Sequence, residues 1–60
     1  MTVVYCLYRD YTALERIFDS LETANAYLEK MGCEHGVSEW RLGRTVYCVK
    51  PRVLVTMEEI

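Results

Sequence analysis

The chain has 60 residues, 52% of them hydrophobic, and a formal net charge of -2 at pH 7. A chain of this length forms one domain at most, spanning residues 1–60, and buries only about 60% of the surface that its unfolded form exposes. The negative charge argues against general nucleic-acid binding, and the lack of a long apolar run argues against a membrane-spanning helix. A domain this small usually needs a disulfide, a metal or a partner chain in addition to its own core.

The three cysteines favour neither a disulfide framework nor a zinc site, because Cys6, Cys33 and Cys48 form no Cys-x-x-Cys pair and are odd in number. The N-terminus runs directly into a strand pattern, without the basic and apolar regions of a secretory signal. We therefore expect a cytoplasmic protein with reduced thiols and no cofactor, whose core is supplemented by association with another chain.

The first strand is predicted over residues 2–8, where nearly every position is β-branched, aromatic or apolar. Both alternating sets of side chains in this segment are apolar, which is typical of a central strand. After a polar connection at residues 9–12, residues 13–18 continue an extended pattern that includes charged positions, and they are predicted to form an edge strand.

One helix is predicted over residues 20–31. Asp19 and Glu22 have the spacing of a capping box at its start. Gly32 is the expected stop, because glycine adopts the left-handed conformation without strain. The apolar residues follow helical spacing and form one stripe, made of Leu21, Ala24, Leu28 and Met31.

Two more strands are predicted after the helix, at residues 37–42 and 45–49. Gly43-Arg44 between them has the glycine-first order of a type II′ hairpin turn. Pro51 has no N–H to donate to a sheet, so the fourth strand should lie at an edge or end there.

These elements predict an α+β fold of the ββαββ type, with one helix on one face of a four-stranded antiparallel sheet in the order 2-1-3-4. Residues 57–60 are expected to fray. One helix covers one face of a sheet, whereas the first strand is apolar on both. The second face therefore predicts an interaction surface, covered by a second copy of the chain or by another protein.

Aromatic residues support the same interpretation, since Tyr and Trp are enriched at interface hot spots and the chain has five tyrosines and one tryptophan. The candidate partner-binding residues combine these aromatics with arginines of the last hairpin: Tyr5, Tyr8, Tyr11, Trp40, Arg41, Arg44 and Tyr47. For any single tyrosine, a place in the core is the more ordinary explanation.

Other chemistries have weaker support in the sequence. Cys33 and His35 share one loop and could activate a thiolate, but no orienting carboxylate or oxyanion donor accompanies them, so no catalytic residue is assigned. Zinc would require Cys6 and Cys48 as further ligands, and the order 2-1-3-4 keeps their strands apart. Residues 41–52 carry several cations and no acid, which makes a nucleic-acid-binding hairpin the alternative function. An acidic surface for a basic partner also stays open, formed by Asp10, Glu15, Asp19, Glu22 and Glu29.

The motifs that carry a resemblance are the run from Val4 to Tyr11, then Ile17-Phe18-Asp19-Ser20, Ala24 and Tyr27-Leu28. In this part the chain resembles small uncharacterised phage and prophage proteins. The ββαββ layout, with Cys33, His35 and Gly36 between the helix and the third strand, is also similar to certain small anti-CRISPR proteins. This resemblance implies a phage-encoded inhibitor that binds a host defence complex, and it implies no particular binding residue.

The function expected from these observations is non-catalytic. We expect an inhibitor or adaptor, located in the host cytosol if it is phage-encoded, that binds a host protein or protein complex through its sheet face or an edge strand. A homodimer is expected as well. The alternative is a nucleic-acid-binding accessory protein that uses the hairpin at residues 41–52.

Overall fold

Within residues 2–55, one helix and a five-stranded antiparallel sheet form the fold, which confirms the predicted α+β class. The computed structural model describes residues 2–55, so the tail at 57–60 that was expected to fray lies outside the described residues. The elements in chain order are β1 (Thr2–Arg9), β2 (Ala13–Phe18), α1 (Leu21–Met31), β3 (Glu34–His35), β4 (Trp40–Leu42) and β5 (Thr45–Leu54).

The strand order differs from the predicted four-stranded order 2-1-3-4, which is wrong. The sheet has five strands in the order β2-β1-β5-β4-β3. The difference arises from β3, a strand of 2 residues that adds one reversal of the chain after the helix. Because of this reversal β5, and not β4, runs antiparallel to β1 and pairs with it from Arg9↔Tyr47 to Thr2↔Leu54. The central position predicted for the first strand is confirmed, since β1 lies between β2 and β5.

The last two predicted strands differ from the observed ones in length. Only Trp40–Leu42 of the predicted residues 37–42 is a strand, and Val37 is fully exposed. By contrast, β5 continues through Pro51 and has 10 residues. Proline is tolerated there because β4 pairs with residues 45–47 only. In the described part of the chain, the rest of β5 therefore has a neighbouring strand on one side and an open edge on the other.

Capping residues define both ends of α1. The Ser20 hydroxyl accepts a hydrogen bond from the Thr23 backbone N–H at 3.1 Å, so Ser20 is the N-cap in place of the predicted Asp19. The error is one residue, because Asp and Ser are both good N-caps and stand next to each other here. Gly32 has a φ of 89° and donates its N–H to the Glu29 carbonyl at 3.0 Å, which confirms the predicted stop.

The core lies between α1 and one face of the sheet. Its buried residues are Leu7, Phe18, Ala24, Leu28 and Trp40. Ala24 and Leu28 have no exposed surface, which confirms the centre of the predicted apolar stripe, whereas Leu21 at its start is 46% exposed. Tyr5 of β1 packs against the same cluster. The helix therefore covers the β1 face that carries Tyr5 and Leu7.

The turn between β4 and β5 depends on Gly43, whose φ is 61°. Gly43→Val should lower the free energy of unfolding by about 1–2 kcal/mol, because a β-branched residue is strained at positive φ. Arg44→Val is the matched control, since Arg44 lies in the same turn without a positive φ. Urea unfolding followed by circular dichroism measures both variants. Equal losses of stability would show that the turn does not depend on the glycine.

Candidate functional site

The sheet face opposite the helix is built around the second set of β1 side chains. Residues that face each other in neighbouring antiparallel strands point to the same side of a sheet. We call this surface the open face, and the strand register assigns to it Val4, Cys6 and Tyr8 of β1, Leu14 and Ile17 of β2, and Cys48, Lys50 and Arg52 of β5. It is the surface that the doubly apolar first strand predicted.

The centre of the open face combines two buried cysteines with a tyrosine that has two cations beside it. Cys6 and Cys48 are each only 6% exposed, and both are free cysteines. The Tyr8 ring has two cations beside it, with Lys50 Nζ at 5.9 Å and Arg52 Cζ at 5.8 Å from its centroid. Cations at such distances are attracted to the negative face of an aromatic ring. The centre is therefore more polar than the apolar pattern of the first strand suggests.

The β2 margin of the open face is aliphatic and exposed. Leu14 and Ile17 are large side chains that are 53% and 55% exposed. They face Tyr8 and Cys6 of β1, so they adjoin the cationic centre. The edge position predicted for this strand is confirmed. Adjacent exposed aliphatic side chains on a small domain mark a candidate contact surface.

The predicted partner-binding residues do not form one surface. Tyr5 and Tyr47 pack against the core from the helix side, and Trp40 is a core residue with only 5% of its surface exposed. Tyr8 belongs to the open face, and Arg44 is exposed in the turn between β4 and β5. The last two predicted residues meet at the end of the sheet, where Arg41 faces Val46 and so points to the same side as the open face.

Those two residues, Tyr11 and Arg41, share one carboxylate. The Tyr11 hydroxyl donates to Glu39, and Arg41 donates to the same side chain at 2.7 and 3.1 Å. Two hydrogen bonds hold the pKa of the Glu39 carboxyl below its ordinary value. The bond from Tyr11 has the larger effect, and the bond from Arg41 has the smaller one. The same hydrogen bond raises the pKa of the Tyr11 hydroxyl. Tyr11 and Arg41 are exposed to solvent, so their attraction to Glu39 adds little to stability.

The turn before β2 holds Tyr11 in this position. Asp10 and Tyr11 have φ values of 51° and 67°, in the left-handed region where non-glycine residues are strained. Asp10 exchanges two hydrogen bonds with Val46, donating its N–H at 2.7 Å and accepting the Val46 N–H on its carboxylate at 3.3 Å. These bonds offset the strain and hold the turn against β5. We therefore interpret the contacts of Tyr11 and Arg41 with Glu39 as structural, because they join the turn before β2 to the start of β4.

The loop that contains Cys33 and His35 favours neither a thiolate nucleophile nor a zinc site. Burial raises the pKa of the Cys33 thiol, which disfavours the thiolate that a nucleophile requires. His35 stacks on Trp40, with ring centroids 4.2 Å apart. The strands of Cys6 and Cys48 are neighbours, contrary to the prediction, but His35 pairs with Trp40 on the other side of the sheet. Among residues 2–55, no group of acids, cysteines and histidine could hold a metal.

The partner-binding residues predicted from the sequence lack four members of the open face: Leu14, Ile17, Lys50 and Arg52. Of these, Lys50 and Arg52 were considered only as cations of the hairpin at residues 41–52. Strict alternation places Leu14 and Ile17 on opposite faces, and a shift in the β1–β2 register at Glu15 brings them to one side. No sequence signal marks that shift. Lys50 and Arg52 alternate regularly with Cys48, so they could have been found if the fourth strand had been extended past the proline.

No family model, curated protein or solved structure matches this chain. The resemblance to phage proteins therefore stays a prediction, and the open face is interpreted from its own geometry. In the part of the chain that the structure describes, no helix has both the length and the apolar character needed to cross a membrane.

The two faces of β1 predict opposite outcomes for one kind of substitution. Tyr5→Glu places a carboxylate against the core beside Phe18 and should lower the free energy of unfolding by about 2–4 kcal/mol. Tyr8→Glu, beside Lys50 and Arg52, should change it by less than about 1 kcal/mol. Chemical denaturation of both variants measures the difference. A larger loss for Tyr8→Glu would mean that the assignment of the two faces is reversed.

Proposed function

We propose that this chain is a non-catalytic binding protein that docks on a partner protein through its open face. The observation that carries the proposal is the combination on one uncovered surface of exposed Leu14 and Ile17 with Tyr8, Lys50 and Arg52. Aliphatic and aromatic anchors beside cations suit a protein surface that has apolar and acidic groups together.

The distribution of charge supports an acidic partner. The cations Lys50 and Arg52 belong to the open face, whereas Asp19, Glu22 and Glu29 lie on or next to the helix, which packs on the opposite side. The helix side also carries the cations Arg16 and Lys30, so the contrast is local: Lys50 and Arg52 place two positive charges beside Tyr8 at the centre of the open face. Such a cationic centre attracts the acidic groups of an approaching partner and raises the rate of association.

The class of protein that we propose is a phage-encoded inhibitor or adaptor acting on a host protein complex in the host cytosol. The resemblance of the strand and helix motifs supports this class. The open face supports its mode of action, because a non-catalytic inhibitor acts by covering part of its target.

Nucleic-acid binding through the last hairpin is the alternative, and the geometry favours it less. Arg41, Lys50 and Arg52 are exposed cations. However, Trp40 and Tyr47 lie on the helix side of the sheet, so the aromatic groups of the hairpin are not beside its phosphate-binding candidates. Base stacking requires an accessible aromatic face next to the cations.

The test compares Lys50→Glu with Lys30→Glu, which makes the same change of charge on the helix. Each protein is immobilised and exposed to a nuclease-treated bacterial lysate, and the retained partner is then purified and titrated by calorimetry. We expect the parent and Lys30→Glu to bind equally, and Lys50→Glu to bind at least about tenfold more weakly. Equal binding by both variants would contradict a role for the open face.

Fluorescence anisotropy with a single-stranded oligonucleotide tests the alternative on the same variants. Affinity that falls steeply with salt and is lost in Lys50→Glu would replace the proposed protein partner with a nucleic acid.

A further inference from the structure

The open edges of the described sheet differ in how they are protected against pairing. β3 has only 2 residues. The open part of β5 contains Lys50, Pro51 and Arg52, and both proline and repeated positive charge block the addition of another strand. β2 has neither proline nor repeated positive charge: it is 6 residues long and carries one acid and one base, with a register shift at Glu15. The unpaired N–H and C=O groups of an edge strand are a template for pairing with another chain.

The sequence of β2 is complementary to itself. We propose that β2 pairs antiparallel with β2 of a second copy of this chain, about a two-fold axis between Glu15 and Arg16. In this register Glu15 faces Arg16 of the second copy, and Leu14 faces Ile17 of the second copy. The two-fold axis repeats each contact, so the dimer has two facing charge pairs and two facing aliphatic pairs. Facing pairs of both kinds stabilise antiparallel strands.

The register requires that facing residues point to the same side of the sheet, and for the aliphatic pair they do. Ile17 faces Cys6 and Leu14 faces Tyr8, and both partners belong to the open face. Leu14 and Ile17 are 53% and 55% exposed in the single chain. In the dimer they become neighbours across the seam, which accounts for large aliphatic side chains at an otherwise open edge.

The charged pair also points to one side, which is the helix side. Glu15 Oε1 is 3.1 Å from Arg9 Nη1, and Arg16 Cζ is 4.9 Å from the centroid of the Tyr27 ring on the helix. In a regular strand, consecutive residues point to opposite faces and could not face each other about this axis. Such a register shift, a β-bulge, more often hinders the pairing of an edge strand with another chain. Here the register shift at Glu15 brings the acid and the base to the same side.

A second copy fits this edge better than it fits the open face. Two chains packed face to face would bring Lys50 and Arg52 of both copies into one interface, where like charges repel. Pairing through β2 instead joins two sheets into one, so that the open faces of the two copies form one continuous surface with Leu14 and Ile17 at the seam. The inference is tested apart from the proposed function, because Glu15 and Arg16 are changed for the dimer and Lys50 for partner binding.

The test is a charge swap measured by analytical ultracentrifugation over a series of concentrations. We expect the parent to dimerise, and Glu15→Arg and Arg16→Glu each to raise the dimer dissociation constant by at least about tenfold, because each places like charges at both facing pairs. The double variant with both substitutions restores the opposite charges and should return the dissociation constant to within about threefold of the parent. Glu22→Arg, the same charge change on the helix, should leave the dimer unchanged.

Mixing the two single variants separates an interface effect from a folding defect. Glu15→Arg supplies two cations and Arg16→Glu supplies two acids, so the mixed pair is complementary and should dimerise more tightly than either variant alone. A parent that is monomeric at every concentration would overturn the inference. So would a dimer that neither single variant weakens, or a mixture that associates no better than its components.

Discussion

Replacing Leu28 with aspartate should leave the domain largely unfolded at room temperature. Leu28 is a fully buried side chain between the helix and the sheet. Removing most of a buried leucine costs about 2–5 kcal/mol, and a buried carboxylate without a partner adds to that loss. Since domains have only about 5–15 kcal/mol of stability in total, and small ones lie at the lower end, the remaining interactions are insufficient.

Ala26→Asp is the matched control for this prediction, because Ala26 is an exposed residue of the same helix. We expect it to stay folded, with a loss of less than about 1 kcal/mol that reflects helix propensity alone. Circular dichroism melts of both variants give the comparison. A melting temperature of Leu28→Asp within a few degrees of the parent would show that this helix face does not form the core.

The parts of the fold that could be predicted from the sequence are those fixed by local chemistry. The first strand, apolar in both alternating sets of side chains, lies between two other strands, as this pattern predicts. Gly32 ends the helix and Gly43 begins the turn before β5. Both have a positive φ, which glycine adopts without steric strain. The apolar spacing of Ala24 and Leu28 placed the buried face of the helix correctly.

The strand order could not be predicted because it depends on a count of chain reversals. Glu34–His35 is too short and polar to give a strand signal, yet its reversal decides whether β4 or β5 lies beside β1. Length adds a second reason. β5 has 10 residues and can pair with all of β1, whereas β4 has 3 and cannot. Tertiary pairing, rather than any local pattern, sets this part of the topology.

The candidate site was predicted in outline but not in its members. The doubly apolar β1 correctly indicated a face without a helix, but periodicity alone does not say whether Tyr5 or Tyr8 points to the helix. The connection between helix and sheet decides it, and Tyr5 packs on the core. Aromatic composition was a poor guide for the same reason. A small core needs large side chains, and here tyrosines and the tryptophan fill it, although the same residue types are common in interfaces.

Trp40 provides the strongest test of this last point, because sequence composition assigns it to an interface and the structure assigns it to the core. Only 5% of its surface is exposed, and its ring stacks on His35 at 4.2 Å with an interplanar angle of 5°. Trp40→Ala should therefore lower the free energy of unfolding by about 3–5 kcal/mol. Leu42→Ala, in the same strand with 37% exposure, is the control and should cost no more than about 1 kcal/mol.

Trp40 is the single tryptophan of the chain, so its own fluorescence provides a second readout. In the folded parent the emission should lie at the short wavelengths typical of a buried indole and move to longer wavelengths on unfolding in urea. An interface residue would behave in the opposite way, because Trp40→Ala would then weaken partner binding while leaving the urea midpoint unchanged. If the parent emits like an exposed indole and Trp40→Ala keeps its stability, the β4 side of the core is wrongly assigned. In that case the partner-binding surface must include the helix side of the sheet, since Trp40 and Tyr47 face each other there.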